Sequence, residues 1–168
     1  MENFIKDKLF PLCLEKNITI STVESCTGGG IANLLTNVAG SSKYFLGSIV
    51  AYSNDVKINE LNIDRKVLNL FGPCSEIIAR EMALAGIKKF HSTYSIATTG
   101  LLGPSGDGWT NDIGLVYLAI FNQYFHSKIY KLHFKGDRKD IKKRVINFAI
   151  FAFFRILKNN NLDEKVGF

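Results

Sequence analysis

The chain has 168 residues, 46% hydrophobic and 21% charged, with a formal net charge of +6. That balance is ordinary for a globular protein, and the length suits a single domain, 1–168, with a sizeable core. The longest apolar run, 145–157, is interrupted by Asn147 and Arg155 and falls short of the roughly 20 residues that cross a bilayer, so no membrane partner is expected.

Residues 2–16 place Phe4, Ile5, Leu9, Leu12 and Cys13 among charges, the pattern of an amphipathic helix kinked or restarted at Pro11. A strand is expected over 18–23. Glu24-Ser25 and three glycines follow, and then Ile31, Leu34, Leu35 and Val38 fall on one face of a helix over 28–38. A second strand covers 46–53, a short helix 54–61 and a further helical turn 64–70. Gly72-Pro73 breaks the chain, and Ser75 caps a helix running to about Phe90. A strand over 94–99 empties into a second glycine-rich loop, Gly100 to Gly108. Residues 113–121 and 125–134 read as a hairpin. Asp137 caps a final helix to about Lys158, and the polar 159–168 are expected to fray. The fold class is α/β: a three-layer α/β/α sandwich around a mixed sheet.

Cys13, Cys26 and Cys74 are odd in number and match no zinc spacing, and Met1-Glu2-Asn3 opens no apolar signal segment. A reduced cytoplasmic setting and the absence of a metal or other cofactor are the expectations. Much of the positive charge lies between Lys128 and Arg144. This stripe reads as a solvated face ahead of a nucleic-acid surface. The surplus of Phe148, Phe151, Phe153 and Phe154 on the last helix fits either a two-sided core contact or a second subunit.

Both glycine-rich loops follow strands, where ligands gather in open α/β sheets. A serine at the first could attack a carbonyl with neighbouring N–H groups holding the oxyanion, or the same turn could hold a phosphate, or Ser25 could simply cap the helix. The stretch is neither a Walker A loop nor G-x-S-x-G. None of His91, His126 and His133 lies near a glycine-rich loop in sequence. A lysine can replace histidine as the base if burial or another cation lowers its pKa from about 10.4. Tyr52 and Lys57 end a strand and begin a helix, so both could face Ser25; a rim aromatic and a surface charge are the plainer alternative.

Six segments in order carry a family resemblance. Val23-Glu24-Ser25-Cys26-Thr27-Gly28-Gly29 resembles A-E-S-C-T-G-G of the CinA C-terminal domain family, the PncC-type nicotinamide-nucleotide amidohydrolases. Gly40 to Phe45 is similar to G-S-S-x-x-F, Tyr52 to Lys57 to Y-S-N-x-A-K, and Ser75 to Met82 to the V-S-E-x-V-A-x-x-M segment. Thr99 to Pro104 is similar to T-G-I-A-G-P, and Gly136-Asp137-Arg138 to G-D-R. The resemblance implies hydrolysis of the carboxamide of nicotinamide mononucleotide to nicotinate mononucleotide and ammonia, without a metal. It implies Ser25 as nucleophile, Lys57 as base and Tyr52 as partner in proton transfer, with N–H groups near Thr27 to Gly29 as oxyanion donors. Glu24, Thr27, Gly28, Gly29, Asn54, Thr99, Gly100, Gly103 and Arg138 are the expected substrate-binding positions, the second loop and Arg138 facing the phosphate.

The chain departs from the family pattern at Val56, Leu102, Asp107, Asn111 to Gly114, and Lys142. Asp107 and Asp112 bring negative charge to a loop expected to meet a phosphate. A related amide or nucleotide is therefore an alternative substrate, and a non-enzymatic DNA- or competence-linked role is a third reading. Activities of the N-terminal domain found in larger family members are not carried over.

Overall fold

The computed structural model of the chain describes residues 1–106, 108–110 and 112–159. The expected fraying of the tail beyond residue 159 and the contribution of Asp107 lie outside the described residues. Five strands form one sheet: β1 (Ile20–Glu24), β2 (Phe45–Val50), β3 (Tyr94–Gly100), β4 (Leu115–Asn122) and β5 (Ser127–His133). Their order is β2-β1-β3-β4-β5. β1 runs parallel to β2 and β3, while β4 and β5 pair antiparallel as a hairpin.

The helices are α1 (Glu2–Phe4), α2 (Phe10–Glu15), α3 (Gly30–Thr36), α4 (Asn54–Leu61), α5 (Arg65–Phe71), α6 (Glu76–Phe90) and α7 (Arg138–Asn159). Between α1 and α2, Ile5–Leu9 is wound as a π-helix, with Phe10 N–H donating to Ile5 O. This wide turn comes just before Pro11, which has no N–H to give a regular ladder. The expected kink at Pro11 therefore takes the form of a π segment. Ser75 Oγ accepts from Ile78 N–H, and Asp137 Oδ1 accepts from Lys139 and Asp140 N–H, so α6 and α7 are capped as the sequence suggests.

Alternation along the strands divides the core into two layers. Ile20, Ile96, Leu118 and Ile120 face α1 to α3 and α7. Val23, Ala97, Ala119 and Phe121 face α4 to α6. Helices thus cover both faces, which makes the three-layer sandwich. The aromatic surplus of α7 finds partners within the chain: Phe4 packs on Phe151 and Phe154, and Phe148 on Tyr130 and Phe134. Among the described residues no helix is long and apolar enough to cross a membrane.

α6 lies close on the sheet because Gly86 has no side chain. A Cβ there would overlap Ser95 Oγ and stand 2.9 Å from Val23 Cγ2. Both neighbours belong to central strands and have little room to move. Gly86→Ala is expected to cost about 1–3 kcal/mol through overpacking, read as a lower urea midpoint at unchanged slope.

Candidate active site

Ser25 sits where β1 ends between its two parallel neighbours. Its N–H donates to Thr98 O at 2.9 Å, and Ala51 N–H donates to Glu24 O at 2.8 Å, so both flanking strands hold the exit of β1. This is the carboxyl edge of the parallel part of the sheet, where open α/β folds place ligands. The next residues turn tightly: Gly28 N–H donates to Ser25 O and Gly30 N–H to Thr27 O. Gly28 and Gly29 have φ of +62° and +85°, which a helix forbids and glycine permits. The helix therefore begins at Gly30, two residues later than the apolar pattern suggests.

Ser25 does not cap that helix; Glu24 does. The Glu24 carboxylate is fully buried and accepts from Ile31 N–H at 3.1 Å and Ala32 N–H at 2.8 Å. It satisfies two of the first-turn donors of α3 with a negative charge at the positive end of the helix. Thr27 is also turned inward, its Oγ1 2.7 Å from that of Thr98. These two expected substrate contacts build the turn that carries the serine.

Lys57 lies in the first turns of α4, whose start is fixed by Ser53 Oγ accepting from Val56 N–H. Its side chain is only 1% exposed. Nζ stands 3.2 Å from Ser25 Oγ, 3.0 Å from Ala51 O and 3.4 Å from Tyr52 O. Burial pulls the Lys57 pKa below the ordinary lysine value; the nearby Cys26 and Cys74 sulfurs oppose this less strongly. A neutral amine has two N–H groups and one lone pair. With the two carbonyls taking the N–H groups, the lone pair is left for the serine proton.

The Tyr52 phenol is placed differently from its backbone. Its hydroxyl is 2.6 Å from a terminal nitrogen of Arg138, and the side chain is 59% exposed. The other terminal nitrogen of Arg138 donates to Gly103 O at 2.7 Å. Arg138 thus ties the β2–α4 connection to the second glycine-rich loop across the mouth of the site. Tyr52 meets Lys57 through its carbonyl, and meets Arg138 through its hydroxyl.

A cavity of about 350 Å³ opens beside this pair, lined by Ser25, Tyr52, Asn54, Lys57, Thr99, Gly100 and Arg138 among others. Thr99 Oγ1 donates to Pro73 O. Gly100 leaves no room for a Cβ, which would stand 2.6 Å from Leu115 O. Gly28, Gly29 and Gly103 are not among the lining residues. Sequence reasoning missed Ser53, Pro73, Cys74 and Leu101, which line the cavity together with Cys26 and Leu102. The signal was present at Gly72-Pro73, a chain break just before a helix cap. The neighbouring Cys26 is 5% exposed, and burial pushes its thiol up to about 12, so it is no thiolate at neutral pH. Asp112 lies outside the lining and pairs with His133 Nε2 at 2.6 Å, which turns its charge to the hairpin.

A five-stranded mixed sheet between two helix layers, with a buried serine–lysine pair beside a cavity at its carboxyl edge, defines an α/β protein of three layers. More particularly, the chain belongs to the CinA C-terminal domain family, whose model matches residues 2–157. It is 43% identical over 143 residues to a CinA-like protein of Fusobacterium nucleatum, a match covering 85% of this chain and 34% of that protein. The chain thus spans about a third of the length of the curated relatives it matches. A competence/damage inducible protein of Agrobacterium tumefaciens superposes with a TM-score of 0.82 at 29% identity, covering 92% of each chain. A CinA superfamily protein of Klebsiella pneumoniae shares the fold, with a TM-score of 0.88 at 23% identity over 95% of this chain and 99% of that one.

Proposed function

We propose that this chain hydrolyses the carboxamide of nicotinamide mononucleotide, giving nicotinate mononucleotide and ammonia. The observation that carries the reading is the Lys57 Nζ to Ser25 Oγ distance of 3.2 Å between two buried groups at the wall of a cavity. Family membership supports the choice of substrate, since the family includes nicotinamide mononucleotide deamidases.

In the proposed reaction, neutral Lys57 takes the Ser25 proton as Oγ attacks the carboxamide carbon. The oxyanion forms against the backbone N–H groups of the turn after Ser25. Of the three expected there, the Gly28 N–H is already given to Ser25 O, which leaves Thr27 and Gly29 for the role. One such donor is typically worth about 3–4 kcal/mol in the barrier. Protonated Lys57 then gives its proton to the departing nitrogen, and ammonia leaves. Water attacks the resulting ester with Lys57 again as base, freeing nicotinate mononucleotide and Ser25. The Tyr52 hydroxyl and Arg138 stand at the mouth, where the nucleotide phosphate would enter.

The pH profile tests the base. Only the neutral amine accepts the serine proton, so kcat/KM should rise with pH and level off above the folded pKa of Lys57. Because burial lowers that pKa, the inflection should lie below that of a free lysine. Ammonia release measured from pH 6 to about 10 reads it directly. A rate independent of pH over that range would remove Lys57 from the role.

A further inference from the structure

The first turns of α7 carry an arrangement that helix stability does not explain. Lys139, Lys142 and Lys143 stand there at i, i+3 and i+4. Like charges at that spacing repel, and cations near a helix start oppose its dipole. Among the described residues none of the three makes an ion pair. Asp140, the acid within the same turns, lies against Gly136.

The three lysines line a groove of about 600 Å³ between α1, α3 and α7, distinct from the Ser25 cavity. Leu34 and Ile146 give it an apolar wall, and Asn33 and Asn147 add amides. Among the described residues its one lining carboxylate is Glu2, which accepts from Asn37 Nδ2 at 2.8 Å. Ile146 fills the space that a Cβ on Gly30 would take, so α7 packs closely on the start of α3 at this groove. Lys142 Nζ stands 3.0 Å from where a Cβ on Gly28 would be, over the turn that follows Ser25.

We infer that this groove is a second binding site, for a small phosphomonoester of mononucleotide size. The lysines meet the phosphate, and the apolar wall and the amides take the other end. A site whose cations lack carboxylate partners gains charge-assisted hydrogen bonds when an anion arrives. The inference is independent of the reaction assigned to Ser25.

The test is calorimetric titration of the full chain with AMP and, separately, with inorganic phosphate. Lys142→Glu with Lys143→Glu is compared with Lys128→Glu with Lys131→Glu on β5, which changes the net charge equally. Lys142→Met with Lys143→Met covers the case in which the glutamates disturb α7, and circular dichroism checks the fold of each. AMP should bind the parent and the β5 control alike, and bind at least about tenfold more weakly once the two α7 lysines are gone. Inorganic phosphate should follow the same pattern at lower affinity, which assigns the contact to the phosphate. Failure of both probes to bind at millimolar concentration would overturn the inference. So would equal weakening in both charge-changed proteins, which would mark a general field, or no weakening in either, which would place AMP in the Ser25 cavity.

Discussion

Ser25→Ala should lower turnover of nicotinamide mononucleotide by about 10⁴ to 10⁶, and Lys57→Met should do nearly the same. The two side chains form one proton-transfer unit, and such units lose most of their rate when either member goes. The double variant should therefore be little worse than either single one, far from the product of the two effects. Both proteins should stay folded. Ser25 Oγ contributes one hydrogen bond, with Lys57. Methionine fills most of the lysine volume, though Ala51 O and Tyr52 O lose their donor. The pH dependence of stability separates a buried base from a structural lysine. The folded pKa of Lys57 lies below its unfolded value. Between the two, the unfolded chain holds the extra proton, so stability of the parent rises with pH through that window. Below the folded pKa the burial penalty is fully present, and it is gone above the unfolded pKa. Lys57→Met should lack this rise, so melting of the two proteins followed across the same pH range should show their difference changing in that window. Parallel curves would mean that Lys57 is not pKa-shifted by the fold.

The largest expected effect on stability belongs to Glu24. Glu24→Ala leaves two first-turn N–H groups of α3 without their acceptor, that of Ile31 buried and that of Ala32 part-buried. Each unsatisfied buried group costs about 1–3 kcal/mol, and the vacated space adds to that. A total of about 3–5 kcal/mol is expected, near 10 °C in melting temperature for a domain of this size. Glu24→Gln keeps one acceptor oxygen and should recover about half. Because the same residue positions the turn after Ser25, activity of the folded fraction should fall as well. A variant that melted like the parent and changed only KM would instead make Glu24 a substrate contact, as its place in the family motif suggests.

What was legible in the sequence is mostly local. α4 begins and ends where expected, and the caps of α6 and α7 are side chains bonded to their own first turns. Such bonds span two or three residues, so their signature survives in the one-dimensional pattern. The start of α3 is not legible, because Ile31 to Val38 fixes a face but not an end, and the left-handed Gly28 and Gly29 delay the helix. The capping role of Glu24 is not legible, because a carboxylate reaching seven and eight residues forward matches no short capping pattern. The side-chain direction of Tyr52 was out of reach for a related reason. Its hydroxyl is set by Arg138, 86 positions away, through a meeting that only the sheet order brings about. The Ser25–Lys57 approach was foreseeable in outline, since strand ends and helix starts converge at the carboxyl edge of a parallel sheet. The two carbonyls that engage the amine belong to Ala51 and to the Tyr52 backbone, and sequence patterns carry no signal for carbonyl direction.

The most direct test is ammonia release from nicotinamide mononucleotide by the purified chain, with Ser25→Ala assayed beside it at equal concentration. The parent should release one ammonia for each nicotinate mononucleotide formed, and the variant none above background. Equal release by both proteins would contradict the mechanism, because the reaction would then proceed without the serine on which it depends.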